Sequence, residues 1–253
     1  MPSSSRSPSS SRSPSSPDPV PPAPDDASLD ELLTRDGAAP DGVADQVNFF
    51  LGGGPDCEEN TTTVPAVRTA EVVEIPSFAG FCVEGFDHRR DLTVTVTGPG
   101  PSRTARTDWD TLMAVRWPIL PGNPTGRHRV RITQGSRSAS ATFTVVRATA
   151  PRLWINPRVA YAGDTVDVYL GGFPAETSAD LHLYATSSLN YRATTTVPVD
   201  HHGEAHLVLR TSRSTTPDAY AMNSPLIYIP PPDFEPGEFG GPENSVLWLY
   251  GPR

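Results

Sequence analysis

Apolar and polar residues alternate one by one along most of this chain, in short runs cut by glycine and proline. The clearest run is Leu92-Thr93-Val94-Thr95-Val96-Thr97. A period of two sends successive side chains to opposite faces of a strand, one buried and one solvated. Runs of the same kind are predicted at 71–75, 80–86, 113–118, 127–133 and 139–146, with Gly98-Pro99-Gly100-Pro101 and Gln134-Gly135-Ser136 as turns and Trp117 as a core residue. After a short junction at 148–151 the pattern restarts. Strands are predicted at 152–157, 165–170, 181–184, 192–199, 205–210, 219–222 and 226–229, with Asp200-His201-His202-Gly203 as a turn. No helical period intervenes. Many short strands with Gly/Pro punctuation predict an all-β chain of two tandem β-sandwich domains, at 57–148 and 149–229.

The flanks read differently. Residues 1–27 are Ser, Pro and Arg with almost no apolar side chain, too little to offset the entropy of ordering, so a disordered arm is expected. Residues 28–56 form a short helical or linker segment. Ser28 and Glu31 have capping-box spacing, and Leu29, Leu32 and Leu33 form one apolar stripe that ends before Gly37. Val43, Val47, Phe50 and Leu51 form a second stripe, closed by Gly52-Gly53-Gly54. Helices this short are marginal alone. Either they dock on the first sandwich, as Phe49-Phe50-Leu51 favours, or Leu29, Leu32 and Leu33 offer a motif to a partner protein. Residues 230–253 read as a Pro/Gly-rich tail whose Val246-Leu247-Trp248-Leu249-Tyr250 run can pair with a free sheet edge.

The two sandwiches repeat a local pattern. Gly85-Phe86 and Gly172-Phe173 each close a strand and precede an alternating return, at 92–96 and 181–184. Pro124…His128…Val130 loosely parallels Thr216…Tyr220…Met222. Gly allows the tight bend and Phe re-enters the core. With Gly163-Asp164-Thr165-Val166, Asp200…Gly203 and Pro217…Tyr220, this pattern resembles tandem bacterial immunoglobulin-like repeat proteins over about residues 60–229. The resemblance implies immunoglobulin-like β-sandwich modules that act as spacers, stalks or binding platforms at a cell surface, and it transfers no catalytic motif.

Composition narrows the classes. The net charge is −9, and all 20 basic residues are arginine, the bias of a GC-rich genome. No segment reads as both basic and structured, which argues against a nucleic-acid partner. No apolar run approaches the roughly 18 residues of a membrane span. The first residues lack a signal-peptide pattern, which points to the cytoplasm, whereas fold and cysteines favour an extracellular or surface location. Cys57 and Cys82 are either a disulfide, worth roughly 3 kcal/mol in the chain-entropy account, or two buried thiols.

Candidate chemistry is sparse. His201, His202 and His206 cluster around a turn, a poor frame for a metal, and no metal or cofactor is expected. Asp87/Asp91 and Asp108/Asp110 match no calcium loop. No Gly-x-Ser-x-Gly elbow occurs, and Gly52-Gly53-Gly54 leads into Pro-Asp-Cys instead of a phosphate-binding helix. Trp109, Tyr191 and Tyr228 fall near loops or edges and are candidates for stacking on a sugar or anchoring a protein. The expectation is a non-catalytic, monomeric binding or spacer protein with a protein or glycan partner. A cytoplasmic adaptor that recruits through the arm and the Leu29/Leu32/Leu33 helix is the second reading, and a small hydrolase the third.

Overall fold

The structure is a computed structural model, and it describes residues 25–34, 57, 63–87, 90–107, 114–185, 190–226 and 245–253. The first sandwich uses eight strands: β2 (Ala66–Thr69), β3 (Val72–Ile75), β4 (Ser77–Glu84), β5 (Leu92–Thr97), β6 (Arg103–Thr107), β7 (Ala114–Ile119), β8 (Gly126–Gln134) and β9 (Arg137–Arg147). They form one sheet ordered β2-β4-β7 and a facing sheet ordered β3-β9-β8-β5-β6. The opening segment is divided between the sheets. β2 pairs antiparallel with β4, and β3 then runs parallel to the last strand, β9.

The second sandwich repeats this plan with β10 (Arg152–Asn156), β11 (Val159–Tyr161), β12 (Thr165–Gly171), β13 (Ser178–Ala185), β14 (Asn190–Pro198), β15 (Ala205–Arg210), β16 (Asp218–Asn223) and β17 (Val246–Tyr250). Its sheets are β10-β12-β15 and β11-β17-β16-β13-β14, and β11 again runs parallel to the last strand. Position for position, the two strand orders are the same. This is the immunoglobulin-like sandwich, with its first strand switching sheets.

Alternation fills both cores. In the first, Phe81, Leu92, Val130, Ile132 and Val145 are almost fully buried, and Phe81 meets Phe143 across the sheets at 5.6 Å between ring centroids. In the second, Ile155, Val166, Val168, Leu181, Leu183 and Leu207 do the same work. The paired Gly-Phe turns recur as read. Gly85 and Gly172 hold φ values of +68° and +74°, and a Cβ there would collide with the carbonyl oxygens of Val64 and Ala150. Phe86 and Phe173 behind them are buried.

A second shared device sits at the start of β8 and β16. The Tyr220 hydroxyl donates to the carbonyl of Thr216 at 2.6 Å, the tyrosine corner of immunoglobulin-type sandwiches. At the matching place in the first sandwich, His128 Nε2 lies 2.9 Å from the carbonyl of Pro124. A carbonyl only accepts, so Nε2 carries the proton there.

Three expectations are corrected. The run at 246–250 is no tail strand on a free edge. It lies between β11 and β16, and Leu247 and Leu249 belong to the second core. The segment from Asp25 onward docks on the second sandwich instead of the first, and Asp25, Asp26 and Ala27, expected in the disordered arm, are ordered because the edge of β15 pairs with them. β1 (Asp25–Ser28) runs parallel to β15 and covers that sheet edge. α1 (Leu29–Thr34) follows, with the amide of Glu31 donating to Ser28 Oγ at 3.4 Å as the capping-box spacing foretells. Third, Leu29 and Leu32 are 0% and 2% exposed in the second core, with Leu33 against it, so this stripe is consumed by the chain's own fold and is not presented to a partner. The second stripe, 43–51, lies outside the described residues.

Candidate functional site

Where the sandwiches meet, the turn before β15 becomes a charged junction. The Asp200 carboxylate accepts from the amides of His202 and Glu204 at 2.8 and 2.9 Å, and this turns the chain so that Glu204 points toward the first sandwich. Glu204 is only 2% exposed. Its Oε2 accepts from the amide of Gly122, in the turn between β7 and β8, at 3.3 Å. Its Oε1 lies 3.2 Å from Nε of Arg147, the last residue of β9, as an ion pair without hydrogen-bond alignment. Beside it, Arg152 on β10 pairs with Glu74 on β3 at 2.5 Å. Gly171 completes the contact. Pro76 and the carbonyl of Ile75 approach it so closely that any side chain would clash.

Burial sets the electrostatics of this junction. It pushes the Glu204 carboxyl above its ordinary range, against the pull of Arg147 and the Gly122 amide. Burial also lowers the His202 imidazole, helped by Arg147 and then His201. The Nε2 of His202 is buried without a hydrogen-bond partner. The junction therefore holds a carboxyl and an imidazole that both resist charging.

Adjoining the same turn, the first sandwich has a cavity of about 180 Å³ lined by Trp117, His128, Asn123, Pro124 and Arg103, among others. The Arg103 guanidinium stands 5.4 Å from the Trp117 ring centre. Ligand pockets usually run to roughly 300 Å³ or more, so this volume suits a single side chain or a small polar group.

Two histidines elsewhere meet candidate partners for acid–base chemistry. His206 Nε2 is 2.8 Å from Asp167 Oδ1, under the ring of Tyr169. His182 Nδ1 is 2.8 Å from Thr194 Oγ1, which also meets the Tyr191 hydroxyl at 2.9 Å. The first pair shows no hydroxyl or thiol hydrogen-bonded to its imidazole, and the second has no carboxylate hydrogen-bonded to its imidazole, whose Nε2 is buried and unpartnered. Desolvation lowers His182, and Asp180 opposes that shift. Among the described residues, no three His, Cys, Asp or Glu side chains converge as metal ligands. His206 is held by Asp167 and leaves the histidine cluster of the sequence, whereas the rings of His201 and His202 stay 3.8 Å apart. Asp87 pairs with Arg137 and Arg90.

The predicted site residues divide. Cys57 and Cys82 are joined as a disulfide, with Cα atoms 5.5 Å apart. Tyr191 is half-buried, edge-on to Tyr184, and committed to Thr194. Trp109 and Tyr228 lie outside the described residues. The aromatics open to solvent are others: Trp248 at 37% and Tyr250 at 53% exposure on β17, beside Tyr161 on β11, whose ring lies 4.0 Å from the Arg253 guanidinium. Their signal was in the sequence. With Leu247 and Leu249 inward, alternation sends Trp248 and Tyr250 outward. No helix among the described residues is long and apolar enough to cross a membrane.

No protein-family model and no curated protein matches the chain. Solved structures match at low scores. The trypsin-activated alpha-2-macroglobulin of Escherichia coli aligns at 14% identity and a TM-score of 0.27, over 69% of this chain and 15% of that one. The BSP domain of a biofilm-associated protein aligns at 16% identity and 0.27, over 74% and 29%. A teleost fish polymeric immunoglobulin receptor ectodomain aligns at 9% identity and 0.29, over 74% and 98%. The chain thus spans less than a third of the first two proteins. At these scores no functional argument passes from them, and the immunoglobulin-like fold rests on strand order, the corner and the cores.

Proposed function

We propose that this chain is a non-catalytic spacer and binding protein that works outside the cytosol, with two immunoglobulin-like modules held in a fixed relation. The observation that carries this reading is the junction: Glu204 of the second module is buried against Gly122 and Arg147 of the first. A flexible pair of beads would leave such a carboxylate in water. A buried one is tolerated only where its partners stay in place. The Cys57–Cys82 bond supports the compartment, because structural disulfides persist in oxidising surroundings. Partners of protein or glycan chemistry fit the surfaces such modules present.

The test is thiol trapping in the native host, with intact cells and with lysed cells. The reading expects both cysteines to resist alkylation and the protein to be cut by an impermeant protease added to intact cells. Two alkylated thiols and full protection inside intact cells would contradict it.

A further inference from the structure

The four strands β5, β6, β8 and β9 of the first sandwich contain seven arginines and no aspartate or glutamate, in a chain of net charge −9. Three of these arginines are occupied: Arg103 by Trp117, Arg137 by Asp87 and Arg147 by Glu204. The other four share one surface. Alternation along β8 turns His128, Val130 and Ile132 into the core and Arg127, Arg129 and Arg131 out to solvent. Arg106 on β6 faces the same way, because it lies opposite Thr93, which lies opposite Thr133 on β8. All four are exposed, and none has an ion-pair partner among the described residues. The expectation that no basic segment is structured is therefore overturned: β8 is both.

What surrounds these guanidinium groups is equally uniform. Every outward position of β5 is a threonine: Thr93, Thr95 and Thr97. Across β8, Ser140 faces Arg131 and Thr142 faces Arg129. Outward residues two apart on a strand stand about 7 Å apart, so Arg127 to Arg131 makes a row of three cations over about 14 Å. Arg106 adds a fourth, two strands away. The result is a hydroxyl-rich, cationic patch over β8, β5 and β6; the outward carboxylate of this sheet, Glu74 on β3, lies beyond β9 and is paired with Arg152.

We propose that this face binds an acidic polysaccharide. Guanidinium groups pair with carboxylate or sulfate in two-pronged fashion, and a regular row of them matches a linear polymer with repeating anions. The interleaved Thr and Ser hydroxyls donate and accept, as sugar hydroxyls and ring oxygens require. Single-stranded nucleic acid is disfavoured, because it is gripped by stacking bases on aromatic rings and these outward positions carry none; a duplex, held through phosphate contacts, is an outcome that the competition below tests. This assignment deepens the binding role proposed above, and its failure leaves the spacer role and the compartment test standing.

The test uses the full chain and labelled polygalacturonate at low ionic strength, with neutral dextran, oligothymidylate and duplex DNA of equal charge as competitors. The intact chain should bind polygalacturonate, lose affinity steeply as salt is added, and ignore dextran. Arg129→Glu should weaken binding at least tenfold, whereas Arg213→Glu, an equal charge change on the second sandwich, should change it less than twofold. Arg127→Gln with Arg131→Gln reads the same face without charge reversal, and thermal melting confirms that each variant is folded. No binding by the intact chain, equal losses in the Arg129 and Arg213 variants, or displacement by either nucleic acid ahead of polygalacturonate would overturn the proposal.

Discussion

At the residue scale, the junction and the corners carry the most specific claims. Glu204 is buried where its charged form is penalised, so the folded chain binds its proton more readily than the unfolded chain does. The sign follows. Between the ordinary carboxyl value of 4.5 and the raised value, Glu204 contributes a stability term that shrinks as pH rises. Glu204→Gln should remove that slope, as read by urea unfolding in steps from about pH 4.5 to neutrality. An unchanged slope would mean that Glu204 is solvated. Tyr220→Phe keeps the ring but strands the Thr216 carbonyl, and should cost about 1 kcal/mol in the same assay. Neither residue announces its role in the sequence. Glu204 follows a Gly-containing turn and reads as solvated, because its burial comes from a module more than fifty residues away by chain, at Gly122 and Arg147. His128 hides its corner because a histidine stands where the usual signal is tyrosine.

At the element scale, alternating or continuously apolar runs of five residues or more were legible, and short or polar strands were not. The runs at 92–97, 205–210 and 246–250 form strands with those bounds. β6, Arg-Thr-Ala-Arg-Thr, has one apolar residue, Ala105, and that residue is exposed; it is an edge strand, held by its ladder to β5. β2 and β11 have four and three residues, too few to display a period. β1, Asp-Asp-Ala-Ser, has no strand propensity and exists because the edge of β15 accepts it. The apolar stripe of α1 was legible, but its destination was not, since a stripe says that a face is buried and not against what. Leu32→Ala should therefore destabilise the second sandwich by about 2–5 kcal/mol, as a core truncation does, and leave the first unchanged. Hydrogen exchange resolved by module checks both halves. An effect below about 0.5 kcal/mol would fit a solvent-facing recruitment helix instead.

At the scale of the whole molecule, the account is of two copies of one plan, joined by an interface of buried charge and close backbone packing, with a cationic hydroxyl face on the first copy. Removing the Glu204 side chain should loosen this arrangement while each core stays intact. Arg147 is about a third exposed, so solvent screens the pair and the cost of Glu204→Ala should be modest, about 1–2 kcal/mol. The most direct measurement is backbone ¹⁵N relaxation of the full chain, which gives a rotational correlation time for each module. A fixed junction predicts one shared tumbling time for strands of both sandwiches, splitting into two shorter times in Glu204→Ala. Two independent times in the unaltered chain would contradict the claim that these modules act as one rigid spacer.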